Sequence, residues 1–289
     1  MITVKKVLLV GNHHNKNTLQ CIEEMREYFE EKGIEVNEHQ TSERYFNHQE
    51  EGVDLSDTDL AISLGGDGTL LYCARILAGK RIPILALNLG DFGFITEISR
   101  SEWKDSLEKY VSGRLSVSRR MMLEVCVNRN DRPERCYLGL NDGVIGSGGI
   151  SKIIKLKVFI SNTFISRYRA DGVIVATPTG STAYSMAAGG PILHHEMKAM
   201  VLSPICPFTL SNRPLVVPGD EVLEIVVEEN QRTSVMLTVD GQEAFDLQPN
   251  DRILFRRSEN ETLIIQSDKR NFYEVLRRKL NWAGEPNAK

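Results

Sequence analysis

The chain lacks any window of about twenty apolar residues that could span a bilayer as a helix. Its amino terminus carries only the short run Val7-Leu8-Leu9-Val10, far below a signal-peptide core, so a soluble, cytoplasmic protein is expected. A basic excess is also missing. A formal net charge of −4, with 26% charged residues of both signs, gives no reason to expect nucleic acid or a membrane as partner and favours a small ligand. Cysteine is sparse: Cys21, Cys73, Cys126, Cys136 and Cys206 are odd in number, scattered and never in Cys-x-x-Cys spacing. That pattern argues against a disulfide framework and a zinc site and predicts reduced thiols. There is no Gly-Lys-Ser/Thr ending of a Walker A loop, and no glycine at the spacing of a Rossmann fingerprint.

What is present, over 289 residues, is enough for two domains with substantial cores. In the first part, apolar runs alternate with helical patterns. Residues 4–10 read as a buried strand and residues 17–32 as a helix with Leu19, Ile22, Met25 and Phe29 on one face and Gly33 after its end; a short strand follows at 34–36. The polar, acidic stretch 39–57 has no steady period and reads as a loop. Then come a strand at 60–64, a helical pattern from Leu70 (Leu71, Ala74, Leu77, Ala78) ended by Gly79, and a strand at 82–87. Ser99 with Glu102 forms a capping-box signal for a helix that Gly113 stops. Strands apolar on both faces, alternating with helices, predict a mainly parallel sheet covered by helices, with ligands at the strand carboxyl ends.

The character changes near residue 119. Short β-type runs at 121–127, 136–140, 153–160, 173–176, 222–227, 235–239, 253–255 and 263–265, separated by turn signals such as Asn130-Asp131-Arg132-Pro133 and Asp240-Gly241, predict an all-β second domain. The alternation Lys155-Leu156-Lys157-Val158 reads as a half-exposed strand with a solvated lysine face. A last helix, with Phe272, Val275, Leu276 and Leu280 as its apolar stripe, must dock against other parts of the chain.

Two stretches suggest chemistry. Gly65-Gly66-Asp67-Gly68-Thr69 closes an apolar strand and opens a helix, so its glycines leave room for backbone amides to approach phosphate oxygens near a helix start. A carboxylate there is repelled by phosphate unless it accepts a proton or holds a cation; the alternative is a tight βα turn with an exposed Asp cap. Asn88-Leu89-Gly90-Asp91-Phe92-Gly93-Phe94 lies at the next strand end and suits either a loop approaching a planar ligand or a plain hydrophobic turn. The segment 169–191 reads as a strand, a hydroxyl-rich turn and a short helix. Its Thr179, Ser181 and Thr182 exceed what capping needs, and Tyr184 adds a flat face and a donor, which points to a ligand. Its small residues Ala187, Ala188, Gly189 and Gly190 fit close backbone packing equally well.

The combination of the glycine turn, Asn141-Asp142, the segment from Asp171 to Pro191 and Asp240-Gly241-Gln242 closely resembles the NAD kinase family, from the first strand to beyond residue 242. The glycine turn is shared with diacylglycerol-type lipid kinases and, more loosely, with phosphofructokinases; the second-domain segment is the specific part. The resemblance implies an α/β domain over residues 1–118, joined by a returning segment 268–289 that carries the final helix, and a β-rich dinucleotide-binding domain over 119–267. It implies transfer of the γ-phosphoryl of ATP, or of another nucleoside triphosphate or polyphosphate, to the adenosine-ribose 2′-hydroxyl of NAD, with Mg²⁺ or another divalent cation, in a homo-oligomer. A lipid kinase and a non-enzymatic dinucleotide sensor are the alternatives. By matching positions, Asp67 resembles the general base and Gly68 part of the diphosphate turn. Asn141, Asp142, Lys152, Arg169, Asp171, Thr182, Ala183, Tyr184, Ser185, Met186, Ala187 and Gln242 match dinucleotide contacts, with Asp142 standing where the family most often has Glu.

Overall fold

The computed structural model describes residues 2–41, 53–90, 93–149, 152–209 and 211–282. The chain forms two compact units: one holds the described residues up to Arg119 together with those from Leu263 onward, the other holds Arg120–Thr262. An amino-terminal α/β unit is followed by a β-rich, largely antiparallel unit. No helix among the described residues is long and apolar enough to cross a membrane.

The first unit runs β1 (Lys6–Gly11), α1 (Lys16–Glu31), β2 (Glu35–Gln40), β3 (Leu60–Gly65), α2 (Asp67–Ile76), β4 (Pro83–Asn88), β5 (Ile98–Ser99) and α3 (Trp103–Val111). All of its strand pairs are parallel, in the order β2-β1-β3-β4, with β5 beside β4. Every residue of β1 is buried and β3 is buried up to Leu64, as expected for central strands covered on both faces. Strand β2 is more exposed because it lies at the edge, and it extends well beyond the expected 34–36. Helix α1 is capped by the Asn15 side chain, which accepts from Asn17 N. It buries Thr18, Cys21, Ile22, Met25 and Phe29, whereas Leu19 is 40% exposed. The apolar stripe is thus rotated by Cys21 and Thr18, two residues that hydropathy alone undervalues. Phe29 and Trp103 are among the largest side chains of this core, and part of the expected loop 39–57, residues 42–52, lies outside the described residues.

The second unit contains most of β6 (Val117–Arg129), then β7 (Arg132–Gly139), β8 (Asp142–Ser147), β9 (Ile154–Ile160), β10 (Thr163–Ala170), β11 (Gly172–Ala176), α4 (Tyr184–Ala187), β12 (Ala199–Ile205), β13 (Leu215–Pro218), β14 (Leu223–Val227), β15 (Val235–Val239), β16 (Glu243–Leu247) and most of β17 (Arg252–Ile265). One antiparallel sheet has the order β13-β12-β11-β8-β15-β16, and β10-β9-β14-β17 forms another antiparallel run. The inward residues of these strands, among them Val125, Ile145, Val173, Leu202, Leu237 and Phe255, share one core. Sequence reading missed β8 because it contains Gly143 and Gly146; a Cβ on Gly143 would come 2.7 Å from the Phe255 ring, so packing rather than strand propensity decides that residue.

Strands β6 and β7 form a hairpin whose turn residues Asn130 and Asp131 both have positive φ, as a two-residue turn requires. Cys126 and Cys136 face each other in register across it, with Cα atoms 4.1 Å apart, and form a disulfide. This corrects the expectation of reduced thiols for this pair: a separation of ten residues looks unremarkable until the hairpin folds it back on itself. Cys21 and Cys73 are free and buried, and Cys206 is free and exposed.

The last helix, α5 (Phe272–Lys279), buries Val275 and Leu276 and belongs to the first unit. Just before it, Arg270 donates to Glu97 O at 2.7 Å and to both carboxylate oxygens of Glu102 at 2.9 and 3.1 Å. Glu102 also completes the capping box with Ser99 ahead of α3, so one carboxylate serves a helix start and fastens the returning segment.

Candidate active site

Helix α2 begins at Asp67 itself, three residues earlier than the apolar pattern indicates, and Gly66 is its N-cap without a side-chain cap bond. Asp67 therefore lies in the first helical turn, where the helix dipole favours a negative charge. Its carboxylate accepts hydrogen bonds from Phe94 N at 2.9 Å, Ile95 N at 3.3 Å, Thr96 N at 3.0 Å and Thr96 Oγ1 at 2.9 Å. Thr96 is fully buried and its hydroxyl in turn accepts from Asn88 Nδ2 at 3.1 Å. The loop after β4 is wrapped around this carboxylate: a Cβ on Gly93 would fall 1.9 Å from Asp67 Oδ1. At Gly65 a Cβ would meet Thr69 Oγ1 at 2.2 Å, while Gly66 faces open space. The two glycines thus have different duties, one in packing and one in leaving the approach clear. Lys279 of α5 places its ammonium 5.8 Å from the centroid of the Phe94 ring. Asp91 and Phe92 lie outside the described residues.

In the second unit, Asn141, Asp142, the turn after β11 and the turn after β15 come together. Asp240, with φ +52°, turns its carboxylate onto three successive amides: Leu140 N at 2.7 Å, Asn141 N at 2.8 Å and Asp142 N at 3.0 Å. Thr177 N donates to Asn141 O at 2.8 Å, and a Cβ on Gly180 would come 2.1 Å from that same oxygen, so only glycine lets the two backbones meet. Asn141 Oδ1 and Thr179 Oγ1 are buried without a hydrogen-bond partner. Such groups are costly unless something satisfies them, which marks this end of the sheet as a place for a polar ligand. Burial, together with the charge of Asp240, pushes the Asp142 carboxyl up to about 7. Gln242 is buried next to this turn, its backbone N–H donating to Val239 O at 2.9 Å.

The hydroxyl surplus of this segment is smaller than the sequence suggests. Ser181 Oγ donates to Pro178 O at 2.6 Å and accepts from Leu193 N at 2.9 Å, Thr182 Oγ1 donates to Thr179 O at 3.1 Å, and Thr177 Oγ1 donates to Leu140 O at 2.6 Å. These groups build the turn. Of the three surplus hydroxyls, Thr179, not among the family-matched contacts, holds the unmet one, and Asp240, read as a turn residue and part of a family motif but given no role of its own, is the organiser. Of the short helix, Ser185 is buried against Ser203 at 3.0 Å, whereas Tyr184 is 48% exposed; Ala183 and Met186 are half-buried and Ala187 exposed.

The remaining expected contacts gather elsewhere. Lys152 and Arg169 line a cavity of about 760 Å³ with Lys155, Arg167, Glu228 and Arg232. The Lys155 face is thus part of a basic depression rather than a merely solvated strand. Asp171 lies at the opposite end of β11 from Ala176, whose register partner is Asp142. At a strand's rise per residue the two ends are separated by roughly 17 Å. Within one chain, then, Lys152, Arg169 and Asp171 are apart from the group around Asn141 and Asp142.

Among the described residues, one group offers three metal-ligand atoms within 4.8 Å of one another: Glu124, Cys126 and Cys136. Two of these are joined by the disulfide, and thiolates do not suit a hard cation such as Mg²⁺, which takes oxygen ligands.

A glycine-framed carboxylate at the carboxyl end of a parallel strand, carried by a chain whose β-rich part buries unmet polar groups, describes a phosphotransferase acting on a nucleotide-type substrate. The ATP-NAD kinase N-terminal domain matches residues 7–115, and the ATP-NAD kinase C-terminal domain matches residues 140–267. An NAD kinase of Treponema denticola is 40% identical over 291 residues, covering 99% of either chain. Among solved structures, a yeast NADH kinase complexed with NADH aligns with a TM-score of 0.86 at 25% identity, over 99% of this chain and 90% of that one. An NAD kinase from Archaeoglobus fulgidus in complex with ATP aligns with a TM-score of 0.73 at 27% identity, over 94% and 98%. The chain belongs to the NAD kinase family. It is accordingly an enzyme that transfers phosphate to NAD, which sets aside the lipid-kinase and sensor alternatives.

Proposed function

We propose that the phosphoryl group transferred is the γ-phosphoryl of ATP, with another nucleoside triphosphate or polyphosphate as the competing donor, and that the acceptor is the adenosine-ribose 2′-hydroxyl of NAD. Asp67 takes the proton of that hydroxyl. The observation that carries this reading is the loop built around its carboxylate: four hydrogen bonds from Phe94, Ile95 and Thr96 fix its orientation at the start of α2. A weak nucleophile needs such a positioned base, while in-line placement supplies much of the remaining acceleration. Gly68, exposed in the first turn of α2, leaves the diphosphate room to approach the amides.

Asn141 and Asp142, held by Asp240, and the stretch Thr182, Ala183, Tyr184, Ser185, Met186 and Ala187 with Gln242 bind the dinucleotide, making the β-rich part the dinucleotide-binding domain. Mg²⁺ or another divalent cation is the cofactor in this reading and, when bound, would neutralise charge on the donor phosphates. Lys152, Arg169 and Asp171 serve the site of a neighbouring copy in a homo-oligomer, which accounts for their distance from Asn141 within one chain.

The test uses NAD or NADH with ATP or polyphosphate and Mg²⁺, read by product mass and by ³¹P position. Asp67→Asn is expected to lower turnover by about 10²–10⁴ with NAD binding retained. Near-normal turnover in a folded Asp67→Asn enzyme removes the base assignment, and lost NAD binding makes Asp67 a positioning group instead.

A further inference from the structure

We propose that Cys126–Cys136 is a reversible thiol–disulfide site, opened by a dithiol reductant, whose state tunes dinucleotide affinity through β7. The tuning rests on the reading of Asn141 and Asp142 given above; the redox chemistry stands apart from it.

The two cysteines differ in access. Cys126 is 8% exposed on β6, but Cys136 is exposed on β7 and borders a cavity of about 620 Å³ with Glu124, Tyr137, Leu138, Arg256 and Asn260. A structural staple closed inside a core would be out of reach of a thiolate; this one is open on one side. Attack by one thiolate of the reductant on Cys136 Sγ breaks the disulfide, forms a mixed disulfide and expels Cys126 as thiolate, which takes up a proton. The reductant's second thiolate then attacks the mixed disulfide, frees Cys136, which is protonated in turn, and leaves the reductant as a disulfide. Two electrons and two protons pass to the protein pair. The in-register placement of the two residues keeps the thiols adjacent after reduction, so re-oxidation needs no refolding. Cys21 and Cys73 are buried, and Cys206 is a single exposed thiol.

The link to the site runs along one strand. Cys136 is followed within β7 by Tyr137, Leu138 and Gly139, then by Leu140, Asn141 and Asp142, the residues whose amides Asp240 holds. A Cβ on Gly139 would come 2.8 Å from Val239 and 3.0 Å from Asp240, so the end of β7 is pressed directly onto that anchor. On the other side of the disulfide the β6–β7 register shifts between Val127 and Asn128. The covalent bond therefore sits where the regular ladder toward Asn141 gives way to the irregular hairpin end. With the bond open, β7 is held to β6 by its non-covalent ladder pairs, of which Leu123↔Gly139, Glu124↔Leu138 and Val125↔Tyr137 lie on the Asn141 side.

The experiment is alkylation of the folded, full-length oxidised enzyme by iodoacetamide, before and after dithiothreitol without denaturant, with peptide mapping, alongside NAD KM and kcat in both states. Cys136 is expected to be alkylated only after reduction, with the NAD KM rising about three- to tenfold, a modest loss of positioning, while kcat changes little. Cys126→Ser/Cys136→Ser should show the KM of the reduced enzyme and no response to dithiothreitol. If that variant fails to fold, the reduced wild type still supplies the comparison. Alkylation of Cys136 before reduction, or resistance of the bond to dithiothreitol in the folded protein, overturns the redox site. Clean reduction with an unchanged KM overturns the tuning. Failure of the assigned NAD contacts would appear separately, as Asn141→Ala without effect on KM, and would leave the alkylation result intact.

Discussion

Asp142 shows what a single carboxylate gains and loses by its surroundings. Folding buries it near Asp240 and moves its carboxyl up to about 7, above the unfolded value near 4. The native state therefore binds a proton more tightly than the unfolded chain, so the favourable balance present below about pH 4 is lost as pH rises through about 7. Asp142→Asn should remove this dependence: urea titrations from pH 4 to pH 8 are expected to show variant and wild type alike at the acid end, and the variant more stable at the alkaline end by up to about 4 kcal/mol. Parallel pH profiles would contradict the buried-acid account. The same measurement on Asp240→Asn separates its two effects, since loss of the negative charge lowers the Asp142 value while weakening the hold on the amides of Leu140, Asn141 and Asp142.

Among the elements, the start of α3 is where two distant parts of the first unit depend on one side chain. Burial alone would raise the Glu102 carboxyl, but hydrogen bonds from Arg270 and from the Ser99 backbone and hydroxyl outweigh it and hold the group at about 2. Because the folded value lies below the unfolded one, this stabilisation is present at neutral pH and is lost as pH falls from about 4 through about 2. Glu102→Gln is expected to cost about 2 kcal/mol at pH 7, measured by urea midpoint, with the difference from wild type shrinking under acid. An unchanged midpoint would mean that α5 is held by Val275 and Leu276 without help from this carboxylate. The consequence reaches the loop around Asp67, because Lys279 at the end of α5 lies over the ring of Phe94, whose amide donates to that carboxylate.

For the molecule as a whole, the β-rich unit leaves large apolar side chains outside: Phe164 is 55% and Phe208 65% exposed, with Ile165 and Val216 nearby in sequence to each. Exposure of this kind, together with two groups of proposed contacts that one chain keeps apart, is the motive for the proposed closed homo-oligomer. Light scattering is expected to give a multiple of 32.6 kDa, and Phe164→Asp should shift the enzyme toward monomer with turnover reduced at least about tenfold by loss of a neighbour's contribution. A fully active 32.6 kDa species would end the shared-site proposal and leave Asp67 untouched.

By itself the sequence determined the things that depend on local pattern. Alternating apolar runs and helices marked the parallel α/β part, the Ser99–Glu102 spacing marked a helix start, and the glycine turn placed one carboxylate at a strand's carboxyl end. Family-specific motifs then indicated the chemistry. What only the tertiary structure decided are relations between residues far apart in the chain: Thr96 against Asp67, Asp240 against Asn141, Arg270 against Glu102, and Cys136 against Cys126 across a hairpin. A hydrogen bond or disulfide is set by distance and direction after the backbone has folded, and neither leaves a periodic trace. For the same reason Asp240 reads in sequence as half of a turn and in the structure as the group that holds three amides in place.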